Sequence, residues 1–210
     1  MIIEHSIPQH NFFPAVMPPG FIKPTIDSME SDYKYPVRTF NDKQTKKSFQ
    51  AEIRAIADIS VFEFINQPIL SLLAFGLMPG PVMNHILNNS SEIRNKQRLK
   101  YLILKADERK RKHNFYSIAV PASFIPVMNN SFDPDFICPV QQFRDTITNT
   151  LFNAEIHTVV PLTIDQYIAQ SSLGLMSYGF PSETIAIELK RKYPEILKTN
   201  KLHFVVLKSL

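Results

Sequence analysis

Cys138 and His157 are the residues of this chain whose types match a nucleophile and its base, with Asp133 and Asp135 close by in sequence. A thiol attacks only when a base lies within hydrogen-bond reach and donors await the developing oxyanion. A spacing of about one helix establishes neither. A lone cysteine is ordinarily a packed or loop residue, so the chain is read as non-enzymatic, with no catalytic residue assigned. An enzyme of unrecognised family using Cys138 and His157 stands as an alternative.

Six histidines (His5, His10, His85, His113, His157 and His203) are scattered without the H-x-x-x-H, C-x-x-C or H-E-x-x-H spacings that gather zinc ligands. The five glycines build neither a Walker loop nor a G-x-G-x-x-G turn, both of which need glycine so that backbone amides can approach phosphate. No G-x-S-x-G elbow occurs. No metal and no cofactor is expected.

Binding chemistry is better represented. Lys105, Arg109, Lys110, Arg111, Lys112 and His113 concentrate positive charge, diluted by Asp107 and Glu108, and Tyr101, Phe115 and Tyr116 flank them. A phosphate backbone would favour such a cluster through counterion release, and the rings offer stacking faces. Nucleic-acid binding by the basic hairpin 105–113 is therefore a second alternative, although a solvated loop tip carries the same charges. Phe12, Phe13 and Phe21 lie in a proline-rich stretch and are candidate anchors, because buried aromatics carry much of the energy of protein interfaces. The residues assigned to protein binding are Phe12, Phe13, Phe21, Arg109, Lys110, Arg111 and Lys112.

The elements that must position these residues are read from periodicity. Six prolines in residues 1–44 disfavour helix and ladder pairing, which predicts an extended arm. Phe49, Ile53, Ile56 and Ala57 recur at helical spacing. Ser60 with Glu63, and Thr163 with Gln166, have the form of capping boxes, and a helix kinked at Pro68 should follow the first. Leu102, Leu104 and Ala106 alternate, as do Tyr116, Ile118 and Val120, which predicts a hairpin tipped by the basic cluster. Pro139 opens a helix with Val140, Phe143, Ile147 and Leu151 facing inward. "EIHTVVPL" and "LHFVVLK" read as strands, "PSETIAIELKRKYPEIL" as an amphipathic helix, and Gly179 as a left-handed helix end. No internal repeat is apparent. The expectation is an α+β fold: residues 1–44 a proline-rich arm, and residues 45–210 one domain with an antiparallel or mixed sheet of about four strands packed by amphipathic helices.

The 210 residues are 44% hydrophobic, ample for a core, and one cysteine allows no internal disulfide. The net charge of +4 permits an acidic partner without demanding one. Residues 1–20 lack a basic start and an unbroken apolar run, and Gly76, Pro79, Gly80 and Pro81 interrupt the longest apolar stretch. No signal peptide and no membrane span are expected, and the location is expected to be cytoplasmic.

In size, in this lack of export signals, in its Asn, Ile and Lys content and in the mixed pattern ending "LHFVVLKSL", the chain resembles the LvgA-like accessory adaptors of the Dot/Icm type IV secretion coupling complex. The resemblance implies a cytosolic α+β protein that works through protein surfaces, with secretion-complex components or effector substrates as partners. It implies no particular residue.

Overall fold

The computed structural model describes residues 2–4, 10–21, 34–42, 45–106, 113–128 and 135–210. The basic stretch Arg109, Lys110, Arg111 and Lys112 lies outside the described residues. The chain forms two compact units, residues 11–112 and residues 1–10 with 113–210, called here the N-terminal and C-terminal units.

The first strand, β1 (Ile3–Glu4), belongs to the C-terminal unit. The N-terminal unit follows with β2 (Phe12–Met17), β3 (Val37–Asn41) and β4 (Ser48–Ser60). Four short helices come next, α1 (Val61–Asn66), α2 (Pro68–Phe75), α3 (Pro79–Asn89) and α4 (Ser91–Lys96), and β5 (Arg98–Lys105) closes the unit. The C-terminal unit continues with β6 (Phe115–Pro121), β7 (Val140–Arg144) and β8 (Leu151–Thr163). Its helices are α5 (Ile164–Ile168), α6 (Ser171–Tyr178), α7 (Ser182–Lys192) and α8 (Pro194–Thr199), and its last strand is β9 (Lys201–Ser209). The fold is mixed α+β with two sheets rather than one, ordered β2-β5-β4-β3 and β1-β7-β8-β9-β6.

The two units are copies of one module, which overturns the expectation of no internal repeat. A shift of 103 residues carries Ser48–Ser60 onto Leu151–Thr163, and the same shift superposes the first residue of every other strand and helix from β2 to β5 on its counterpart from β6 to β9. The sheets have the same order, β3-β4-β5-β2 matching β7-β8-β9-β6. Each positive-φ residue described has its counterpart: Lys46 with Asn149, Gly76 with Gly179, and Gln97 with Asn200. Aligned without a gap, residues 10–107 and 113–210 are identical at 27 of 98 positions.

The repeat explains where helical spacing misled. Ile53 pairs with Leu104 and Ala55 with Ile103, so Arg54 is the extra residue of a β-bulge; His157 holds the same place between Ile156 and Thr158. Alternation of Phe49, Ala51 and Ile53 then resumes out of phase at Ile56, and this insertion turns a period of two into a spacing that resembles a helix. Residues 48–60 are a strand. Pro139 likewise precedes β7, not a helix: Val140, Ile147 and Leu151 are exposed and Phe143 alone is buried. A tight turn joins β7 to β8, with Asn149 at φ 56°, as Lys46 joins β3 to β4.

The expected 102–120 hairpin is absent, since β5 pairs with β2 and β4 while β6 pairs with β9. Within the expected arm, β1, β2 and β3 are strands. β2 tolerates Pro14 because it is an edge: Asn11 bonds inward to Ala106, so by alternation the missing Pro14 N–H points away from β5. Both capping boxes form, Pro68 starts a new helix after α1, and Gly179 ends α6 at φ 77°.

One face of each sheet carries the same apolar set: Phe40, Ala51, Ile53, Leu102 and Leu104 in one unit, and Phe143, Ala154, Ile156, Val205 and Leu207 in the other. Parallel stacks of Phe40 on Phe49 (5.7 Å) and Phe143 on Phe152 (5.5 Å) mark its rim. Ile3 from β1 joins only the second set.

Candidate functional site

The bulge in β8 turns His157 toward Cys138, bringing together the two residues that sequence could only nominate. Cys138 Sγ lies 3.6 Å from His157 Nδ1, and His157 Nε2 lies 2.9 Å from Glu155 Oε2. Lys208 Nζ approaches the same carboxylate at 3.4 Å, and Phe115 meets the imidazole edge-on at 4.8 Å. With Glu155 ionised and the imidazole neutral, Nε2 is the donor and Nδ1 faces the thiol as an acceptor. The order thiol, imidazole, carboxylate is that of a nucleophile, a base and a group that orients the base.

The electrostatics do not activate the thiol. Burial pushes the Cys138 thiol up, the Glu155 charge adds to this, and Lys208 opposes it. A reactive cysteine needs the opposite shift. The His157 hydrogen bond holds Glu155 below the usual glutamate range, with help from Lys208 and against burial.

The equivalent cluster of the N-terminal unit shows what this position does without a thiol. Arg54 replaces His157 and donates from NH1 to Glu52 Oε2 at 2.9 Å. Its guanidinium lies 3.8 Å from the ring centre of Tyr35, which replaces Cys138, and 5.4 Å from that of Phe12, the counterpart of Phe115. Glutamate, phenylalanine and lysine (Lys105, Lys208) are common to both copies. The shared arrangement is a clamp that holds the bulged side chain between a carboxylate and an aromatic ring. Among the described residues, no group of three or more His, Cys, Asp and Glu side chains is arranged to hold a metal.

The aromatic candidates fall into two kinds. Phe12 is half-buried in that clamp, and Phe13 packs 6.1 Å from Phe49 within its own unit. Phe21 is 39% exposed while leaning on Phe40 at 5.7 Å. No single helix among the described residues is long and apolar enough to cross a membrane.

Sequence reasoning missed the sheet edges. In the C-terminal unit β1 adds to β7 in parallel, Ile3 opposite Phe143 and Glu4 opposite Arg144. Ile3 is 1% exposed, and Lys192 pairs with Glu4 at 3.6 Å. In the N-terminal unit β3 is the last strand, and no described strand covers it. The Pro36 carbonyl accepts from Ile53 on β4, and the Asp42 amide donates to Lys47 at the β3–β4 turn. By strand alternation the bonding groups of Val37, Thr39 and Asn41 face away from β4. The signal for this contrast is the repeat itself, which pairs an open edge with a covered one.

Comparison of the chain with protein-family models, with curated proteins and with solved structures gives no match.

Proposed function

We propose that this chain is a non-enzymatic protein-interaction adaptor that holds an extended segment of a partner. The observation carrying this reading is the contrast between the two edges of a duplicated module. One copy has its edge completed by a strand from elsewhere in the chain, and the other presents the same edge uncovered by any described strand. Strand addition to a sheet edge is a general mode of peptide recognition, in which main-chain hydrogen bonds supply affinity and side-chain pockets supply specificity. Exposed Phe62 and Leu77 in the N-terminal unit, and Phe180 and Leu197 in the other, are apolar groups that a partner would also cover. The resemblance to Dot/Icm accessory adaptors suggests secretion-complex components or effector substrates as partners in a bacterial cytoplasm.

The geometry of Cys138, His157 and Glu155 is the observation favouring a thiol enzyme instead. Two facts weigh against it: the thiol is raised rather than lowered, and the same position in the other copy is an arginine clamp.

Copurification of the tagged full chain from its native cytosol at moderate salt, read by mass spectrometry, tests the adaptor reading. A stoichiometric protein partner is expected. A chain that recovers no partner while Cys138 turns over a thiol-enzyme substrate would overturn it.

A further inference from the structure

Resting on the adaptor reading, we infer that the β3 edge receives an acidic extended segment of a partner protein, added parallel to β3 with a branched aliphatic residue opposite Phe40. The C-terminal unit supplies the geometry. There Ile3 sits opposite Phe143 and is sealed beside the stacked phenylalanines, and the following residue is the acidic Glu4. The N-terminal unit repeats the platform, with Phe40 in place of Phe143 and Phe49 in place of Phe152, again stacked. Among the described residues it lacks only the added strand.

Charge identifies the occupant. Lys34, Arg38, Lys46 and Lys47 lie on β3 or in the residues that flank it, all exposed, and among the described residues none has an ion-pair partner. Their counterparts beside the covered edge are Ile137, Gln141, Asn149 and Thr150, all neutral; Arg144 in place of Asn41, and Lys192, the partner of Glu4, in place of Asn89, are the changes in the other direction. Exposed cations on or beside an edge strand also discourage indiscriminate pairing between sheets. Both effects point to the same specificity, because cations that repel most strands admit an acidic one. The chain's own β1 is acidic, but it is already seated on β7 and held there within one chain. No other described strand reaches β3, and the edge is assigned to a different polypeptide.

The probe is a fluorescein-labelled acetyl peptide of sequence DEIIEDE, titrated against the full chain by anisotropy, with KRIIKRK as the control and backbone amide NMR shifts as the map. Saturable binding of the acidic peptide is expected, at least about tenfold tighter than the basic one. Shifts should centre on Val37 to Asn41, and a nitroxide on the peptide's amino end should broaden Val37 more than Asn41. Thr39→Pro removes an outward N–H without touching the bonds to β4 and should abolish binding. The triple variant R38E/K46E/K47E, which leaves the backbone intact, should reverse the preference between the peptides. Equal binding of both peptides, or undiminished binding to both variants, would overturn the assignment. A concentration-dependent dimer lost in T39P would give the edge to a second copy and also overturn it. Should T39P keep the copurifying partner of the wild-type chain, the edge assignment fails and the adaptor reading survives. A wild-type chain that captures no partner yet binds the acidic peptide fails the adaptor reading alone.

Discussion

Replacing Ile3 with alanine tests the pairing of β1 with the C-terminal unit. Ile3 is 1% exposed and packs in the apolar set of Phe143, Ala154, Ile156 and Leu207. The substitution removes three carbons, and at about 0.8 kcal/mol per buried methylene the transfer loss is about 2.5 kcal/mol. A residual cavity would add to this, but β1 is a two-residue strand at a sheet edge, so its detachment limits the total. The expected cost is about 2–3 kcal/mol, confined to the C-terminal unit. Hydrogen exchange read by mass spectrometry separates the units, and urea unfolding followed by circular dichroism gives the magnitude. In I3A, protection should fall across 140–144 and stay unchanged across 37–41. A loss below about 0.5 kcal/mol, the scale of an ordinary surface substitution, or equal changes at both edges, would refute the placement of β1.

Gly174 on α6 has no room for a side chain: a Cβ there would lie 2.5 Å from the Phe180 carbonyl oxygen and from the Ser182 amide nitrogen. Gly174→Ala should destabilise by about 1–3 kcal/mol in thermal or urea unfolding, because the contact is with backbone that cannot rotate away. Iodoacetamide should modify Cys138 slowly at neutral pH, with the rate rising only beyond the ordinary thiol range near about 8.5; fast alkylation at pH 7 would contradict a raised thiol. Glu155 has a depressed folded-state value, so its contribution is present above the unfolded glutamate value near about 4.3 and is lost as pH falls through the lower folded value. His157→Phe should flatten that acid limb of the stability curve; an unchanged limb would remove the hydrogen bond as its cause.

Where a local device acts alone, its residues were legible. Ser60 with Glu63 and Thr163 with Gln166 cap α1 and α5, and Gly179 ends α6, because each motif satisfies helix-end groups whatever packs around it. The strands around Arg54 were not legible, since a one-residue bulge changes the phase of burial and imitates a helix. Residues 102–120 showed correct strand alternation, but alternation does not say which sheet a strand joins. The repeat was hidden because its identities are spread thinly among exchanges such as Leu102 with Val205. Its clearest traces are "HNFF" with "HNFY", "PVRTFND" with "PVQQFRD", and "FQAEIR" with "FNAEIH", each pair offset by the same shift. Cys138 and His157, which spacing alone could not bring together, meet in space, yet only the Arg54 and Tyr35 counterparts show that the pairing is a property of the module. The cations around β3 set it apart from β7, but which of the two edges is covered required the position of β1.

The most direct measurement is amide exchange at the matched residues Asn41 and Arg144, before and after the partner is bound. The account expects Arg144, on the edge that β1 covers, to be protected in the free chain, with Asn41 exchanging rapidly until the partner segment slows it. Equal protection of the two amides in the free chain, or an Asn41 amide that the bound partner leaves unprotected, would contradict an adaptor that works through an open copy of its own completed edge.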